Sequence, residues 1–301
     1  MTPFCAAVDW GTSSFRLWLL AEDGTMLAER RSAEGMAAAA ETGFDRVLES
    51  HLDALGVDAG LPAVICGMAG ARQGWREAGY LDTPADLASS NRDALAVEGY
   101  PRDVRILPGI AQRDPASPDV MRGEETQLAG LVAAGVTSGL VCMPGTHSKW
   151  VQLQDGKVVS FATYMTGELF GVLAQHSILK NALGEIQAAP SDPAFLNALK
   201  ASLVAPHAFA NGLFAVRSSQ LLGFAPASEG AARLSGLAIG LELSGALARY
   251  GRVERVVLVG EGGLGESYKA ALEAIGMAVD HRNADEAVRR GLFGAARIFW
   301  A

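Results

Sequence analysis

Apolar residues in this chain fall into blocks whose lengths sort them into strands and helices. Short unbroken apolar runs bounded by turn residues read as strands buried on both faces, here at 4–8, 15–20, 63–66, 104–107, from 140, near Trp150, at 158–163 and from 256. Longer stretches with helical spacing fall at 44–55, 124–134, near 169–179, across 192–217 and at 231–249, with a last one after the glycine turn at 260–265. Residues 9–14 lie between the first two strands and read as their hairpin. Asp23-Gly24 then turns the chain into a third strand at 26–32. The same order, strand, polar hairpin, strand, Asp-Gly turn, strand, returns at 140–163 with its turn at Asp155-Gly156. This repeat predicts an α/β protein of two duplicated domains facing each other across a cleft. Arg113-Asp114-Pro115-Ala116-Ser117-Pro118 is the best boundary signal, giving domains of 1–115 and 116–301.

The chemistry gathers at the turns. In the first hairpin Gly11 lets backbone N–H groups approach a ligand, Thr12 and Ser13 add hydroxyls, and Asp9 can hold Mg²⁺, through water. An ordinary Asp-Gly hairpin has the same composition, and only the partner motifs favour a phosphate reading. The second hairpin, Met143-Pro144-Gly145-Thr146-His147, carries no acid, so Lys149 or His147 would supply positive charge there. A third turn, VVLVGEGGLGESYKAA, follows a strand and opens a helix. Gly260, Gly262 and Gly265 fit the G-x-G-x-x-G spacing of a dinucleotide fold, with Asp280 near the usual ribose acid position. Too little chain follows to complete a doubly wound sheet, so Gly262 and Gly263 are better read as cradling adenosine, or as a tightly packed strand-to-helix turn.

Composition removes other classes. Among 301 residues, 50% hydrophobic content is ample for real cores, and a formal charge of −8 without a basic stripe argues against a nucleic-acid partner. Cys5, Cys66 and Cys142 are odd in number and sit in or at the ends of apolar strands, which suggests reduced core thiols in a cytoplasmic protein. The opening residues lack a basic n-region and cleavage site, and no apolar run is long and charge-free enough to span a bilayer. His51, His207 and His281 lack metal-ligand spacing, so no zinc site is expected.

In order, two phosphate hairpins and a late Gly-Gly turn resemble the sugar kinase, heat-shock ATPase and actin superfamily. MRGEETQ at 121–127, PGTHSKWV at 144–151, MTGELF at 165–170 and GMAGARQGW at 67–75 narrow the resemblance to the 2-dehydro-3-deoxygalactonokinase family, across nearly the whole chain. That resemblance implies two ribonuclease H-like, actin-like ATPase domains and ATP-dependent phosphorylation of the terminal, 6-hydroxyl of a keto-deoxy sugar acid, with Mg²⁺. The partners expected are this small-molecule acid and ATP, with no nucleic acid or membrane and the oligomeric state left open.

Phosphoryl transfer needs a carboxylate beside the attacking hydroxyl. Glu124 and Glu125, after Gly123 at a helix start, are the candidates, with Glu124 preferred; a similar glutamate pair precedes the second hairpin in exopolyphosphatase-like members of the superfamily. Acidic residues in a first helical turn also simply complement the helix dipole. Arg72, with Gln73 beside it, is the candidate receptor for the sugar-acid carboxylate, Arg16 competes for that role, and Trp75 reads as core. Glu168, at another helix start, is a secondary candidate that capping explains as well. A nucleotide or polyphosphate hydrolase and an ATP-sensing module stay open as other classes.

Overall fold

Alternation and apolar length decide the first strands: Cys5 to Val8 and Leu17 to Leu20 are almost wholly buried, so both faces of each strand are covered. The computed structural model describes residues 1–184 and 191–301. In chain order the main elements are β1 (Pro3–Trp10), β2 (Phe15–Ala21), β3 (Met26–Ser32), α1 (Met36–Thr42), α2 (Phe44–Asp53), β4 (Ala63–Gly67), β5 (Tyr80–Asp82), β6 (Ala85–Asp86), β7 (Leu95–Ala96), β8 (Val104–Ile106), β9 (Gly109–Gln112), β10 (Asp119–Met121) and α3 (Glu124–Ala133). They continue with β11 (Gly139–Met143), β12 (Ser148–Gln154), β13 (Lys157–Tyr164), α4 (Thr166–His176), α5 (Pro193–Val204), α6 (Phe209–Leu221), α7 (Gly230–Tyr250), β14 (Arg255–Val259), α8 (Gly262–Ala274), β15 (Ala278–Arg282) and α9 (Ala284–Trp300).

Contacts divide the chain into two compact units. The first holds Met1–Ser138, Leu153–Ser160 and Ala284–Ala301, the second Gly139–Gln152 and Phe161–Asn283. The first unit's main sheet runs β3-β2-β1-β4-β8-β7, antiparallel from β1 through β3 and parallel from β1 through β8. The sheet of the second unit runs β15-β14-β11-β12-β13, with β11, β14 and β15 parallel. Read from β3 and from β13, the two orders are the same, so the sequence repeat is a structural one.

Each unit clamps one helix pair by glycine. In the first, a Cβ on Gly130 of α3 would lie 1.8 Å from the Ala287 carbonyl of α9, and one on Gly291 would lie 2.0 Å from the Thr126 carbonyl. In the second, a Cβ on Gly236 or Gly240 of α7 would lie 2.2 or 2.4 Å from the Phe195 or Leu199 carbonyl of α5. No larger residue permits these approaches. Residues 227–250 are long and apolar enough to cross a membrane, yet α7 lies mostly buried against Phe195, Leu199 and Trp150 in its unit's core.

Three boundaries differ from the sequence reading. β1 continues through Asp9 and Trp10, because Asp9 pairs with Arg16 and Trp10 with Phe15 in the ladder, so the hairpin turn is only Gly11 to Ser14. α4 starts at Thr166, three residues early. The sequence reading gives 116–301 to one continuous domain, whereas by contacts 116–138, Leu153–Ser160 and α9 group with the first unit, α9 because Val288, Leu292, Ala295 and Ala296 pack onto Cys5, Ala7, Val64 and Cys66.

Candidate active site

In the first unit the candidate residues cluster where β1 and β4 end and α3 begins. Asp9 is 7% exposed; burial pushes its carboxyl up, and the Arg16 guanidinium, 2.5 Å from Oδ2, pulls it back toward the charged form. Its Oδ1 accepts a weak hydrogen bond from the Cys66 thiol at 3.8 Å. The turn beyond it is braced from one side: Gly11 N–H donates to the Ser14 carbonyl, while Met36 and Ala37 N–H donate to the Gly11 and Thr12 carbonyls. Gly35 comes so close that a Cβ would stand 2.5 Å from the Ser13 and Ser14 nitrogens. Thr12 and Ser13 are left exposed on a fixed turn, but the Gly11 N–H is already used.

Gly67, at φ +86°, joins this turn to α3. A Cβ there would lie 2.5 Å from the Trp10 carbonyl, and one on Gly123 would touch the Gly67 Cα at 3.4 Å. Only glycine combines that φ with that proximity. Glu125 folds back to cap its own helix, both carboxylate oxygens accepting from Gly123 N–H at 2.9 and 2.7 Å, with the Thr126 hydroxyl donating at 3.2 Å. Burial, and then the neighbouring Glu124 charge, push Glu125 up to about 8. Glu124 is half-buried and accepts from Arg122 N–H at 3.0 Å.

The other first-unit candidates stand differently. Arg16 is held by Asp9 and by Asp285. Arg72 and Gln73 are exposed on the loop after β4, where Arg72 makes no hydrogen bond or ion pair with a described residue. Trp75 stacks on Phe44 and packs edge-on to Trp10 and Tyr100, a core position.

The second unit gathers the remaining candidates. Gly145 meets the start of α4, where a Cβ on Gly167 would lie 2.4 Å from the Gly145 carbonyl and Glu168 N–H donates to the Thr146 carbonyl at 2.9 Å. The exposed His147 ring and the Glu168 carboxylate meet at 2.5 Å. Lys149 is 5% exposed on β12. α8 starts at Gly262, φ +60°, and Gly260 just before it lies against Pro144. A cavity of about 410 Å³ opens between the starts of α4 and α8 and the flank of α7, lined by Thr166, Phe170, Ser235, Ile239, Gly263 and Tyr268 among others. Beneath it Glu242, pushed up by burial, accepts from Trp150 Nε1 at 2.8 Å and from Tyr268 Oη at 2.6 Å.

Sequence reasoning missed Asp285, Glu242, Arg122 and the contact of Cys66 with Asp9. Arg122 bridges the Ala78 carbonyl at 2.7 Å and the Tyr80 ring at 4.3 Å, bracing the β4 loop against α3. Asp285 carried one local signal, an acid in a first helical turn, which also fits a dipole effect. Glu242 lies on an alanine- and glycine-rich helix with no local sign of its partners.

A duplicated α/β sheet, with a buried carboxylate at the first hairpin in one unit and a strand–glycine–helix turn beside a cavity in the other, fits a kinase of small sugar acids, and the relatives are such kinases. The chain belongs to the 2-keto-3-deoxy-galactonokinase family, whose model matches residues 9–295. It is 56% identical to the Rhizobium meliloti (strain 1021) protein named "Probable 2-dehydro-3-deoxygalactonokinase DgoK1", over 99% of this chain and 98% of that protein. The Escherichia coli (strain K12) 2-dehydro-3-deoxygalactonokinase is 33% identical over 97% of each chain. A Sinorhizobium meliloti crystal structure bearing the 2-dehydro-3-deoxygalactonokinase name matches at TM-score 0.95 and 56% identity over 99% of both chains. Component A of the Acidaminococcus fermentans (R)-2-hydroxyglutaryl-CoA dehydratase, at 15% identity, TM-score 0.52, and 98% and 96% coverage, shares the fold alone.

Proposed function

We propose that the protein transfers the γ-phosphoryl group of ATP to the terminal, 6-hydroxyl of 2-dehydro-3-deoxy-D-galactonate. The observation that carries this reading is a family match over nearly the whole chain, joined to the approach of Gly123, which opens the helix carrying Glu124 and Glu125, to Gly67 beside Asp9. Glu124 is the base: half-buried on the first turn of α3, it takes the hydroxyl proton as the new O–P bond forms and the bond to ADP breaks. Glu125 is poorly suited to that task. Raised to about 8, it holds its own proton at neutral pH and orders the turn through Gly123.

Asp9 offers a hard carboxylate oxygen, raised by burial and pulled back toward the charged form by Arg16, and the described residues hold no group of three or more His, Cys, Asp or Glu arranged to bind a metal ion. That donor set fits Mg²⁺, which prefers one or two carboxylates with water and phosphate. When bound, Mg²⁺ neutralises charge on the transferring group. In the second unit Thr146, Lys149 and His147 would meet phosphate, while Gly263 borders the cavity that would take adenosine, with Gly262 just before it at the start of α8. Arg72, exposed on the loop after β4 and without an ion pair to any described residue, is the candidate receptor for the sugar-acid carboxylate, with Gln73 beside it. Three buried free thiols suit a reducing cytoplasm.

The test is coupled ADP release with Mg²⁺-ATP, with and without the sugar acid, its gluconate-derived epimer and a plain aldose. Release that requires the sugar acid supports the kinase. Equal release without any acceptor overturns it.

A further inference from the structure

Asp285 divides its two carboxylate oxygens between two arginines. Oδ1 accepts from Arg16 Nη1 and Oδ2 from Arg31 Nη2, while Arg16 Nη2 donates to Asp9 Oδ2 at 2.5 Å. Charges therefore alternate from the first hairpin to α9 in the order Asp9, Arg16, Asp285, Arg31. The middle of this chain is shielded: the Asp9 and Asp285 side chains are 10% and 11% exposed, and Arg16 is 26% exposed.

An arginine held at one terminal nitrogen can swing about its long stem, whereas one held at both has its plane fixed. Asp285 supplies the second hold. Its own place is set by α9, which the Gly130–Ala287 and Gly291–Thr126 approaches lock backbone-to-backbone onto α3. The helix that carries Glu124 and the helix that carries Asp285 are thus one rigid pair, joined through Arg16 to the carboxylate of β1.

We infer that Asp285 is a positioning residue for phosphoryl transfer, holding Arg16 so that Asp9 presents its carboxylate to the Mg²⁺-nucleotide in one orientation. Arg16 is then an orienting cation, occupied at both ends, and not the receptor for the sugar-acid carboxylate. This rests on the reading of Asp9 given above.

The test uses Mn²⁺ as a probe, titrated against the full-length enzyme with ADP and followed by electron paramagnetic resonance, alongside steady-state kinetics. Asp285→Asn keeps the shape and removes the charge; it should weaken Mn²⁺ binding and lower kcat by roughly 10–100-fold, as loss of an outer-shell partner does, with KM for the sugar acid almost unchanged. Arg16→Gln should lose as much, and the double variant no more than Arg16→Gln alone, because Asp285 acts through Arg16. A purely structural role would lower thermal stability and leave Mn²⁺ affinity intact. Wild-type Mn²⁺ affinity and kcat in Asp285→Asn, or a double variant whose loss is the product of the two singles, overturns the inference. If Arg16→Gln does not fold, the Mn²⁺ titration of Asp285→Asn decides alone. Wild-type Mn²⁺ affinity in Asp9→Asn overturns the Asp9 reading and this inference with it; lost affinity there with wild-type affinity in Asp285→Asn overturns this inference only.

Discussion

Gly130 of α3 packs directly on the backbone of Ala287 in α9, with room for a hydrogen and nothing more: a methyl group would stand 1.8 Å from the carbonyl oxygen. Gly130→Ala must therefore push the two helices apart. Overpacking of this kind costs about 1–3 kcal/mol, and a clash with backbone belongs at the upper end. The midpoint of urea denaturation should fall accordingly, and kcat should fall further than stability alone explains, because α3 carries Glu124. Unchanged urea midpoint and kcat would show that the helix pair yields freely.

Glu124 and Glu125 share one helical turn but differ in burial, and that difference separates their roles. Glu124→Gln should lower kcat by roughly 10²–10⁴-fold, the usual contribution of a general base. Glu125→Gln, which resembles the protonated acid, should lose far less. Steady-state kinetics on both variants side by side checks this, and near-normal turnover in Glu124→Gln would remove it as the base.

Glu125 also makes stability depend on pH in a definite direction. Its folded pKa of about 8 lies above the ordinary value of 4.5, so between these values the folded protein holds a proton that the unfolded chain has released. The contribution is complete below pH 4.5 and is lost as pH rises toward 8. Thermal melts should show this decline in the wild type, and Glu125→Gln should flatten it and gain relative stability at pH 8. Parallel curves for the two proteins would mean that Glu125 is ionised in the folded state.

The first unit's sheet was legible because its strands are short, apolar and separated by turn residues, and β1, β2, β4 and α3 fall within a few residues of the pattern. The repeat was legible for the same reason, in that two hairpins of like composition produce the same sheet order. α9 was not. Its apolar stripe shows that it packs on something, but only the fold brings Val288 and Leu292 back to Cys5 and Cys66 across almost the whole chain. The pairing of Asp9 with Arg16 was missed because a polar residue after an apolar run reads as a turn, whereas here the ladder continues through it. Glu242 carries no local signal in the sequence, because its partners Trp150 and Tyr268 come from two other elements.

Glu242 ties the floor of the second unit's cavity to its core, so its loss should be felt by the nucleotide. Glu242→Ala leaves the Trp150 donor unpaired in a buried site, at about 1–3 kcal/mol, and leaves the Tyr268 hydroxyl with the Ser148 hydroxyl as its remaining partner. Since Tyr268 lines the cavity, KM for ATP should rise well above its wild-type value while KM for the sugar acid stays close to normal. Equal changes in both would separate the cavity from nucleotide binding.

The most direct test of the central claim is proton-coupled phosphorus NMR of the finished reaction of Mg²⁺-ATP with 2-dehydro-3-deoxy-D-galactonate. Transfer to the terminal hydroxyl should give ADP and a phosphate ester split into a triplet by the neighbouring CH₂ protons. A doublet would place the phosphate on a secondary hydroxyl, and ADP with inorganic phosphate but no phosphate ester would contradict the kinase.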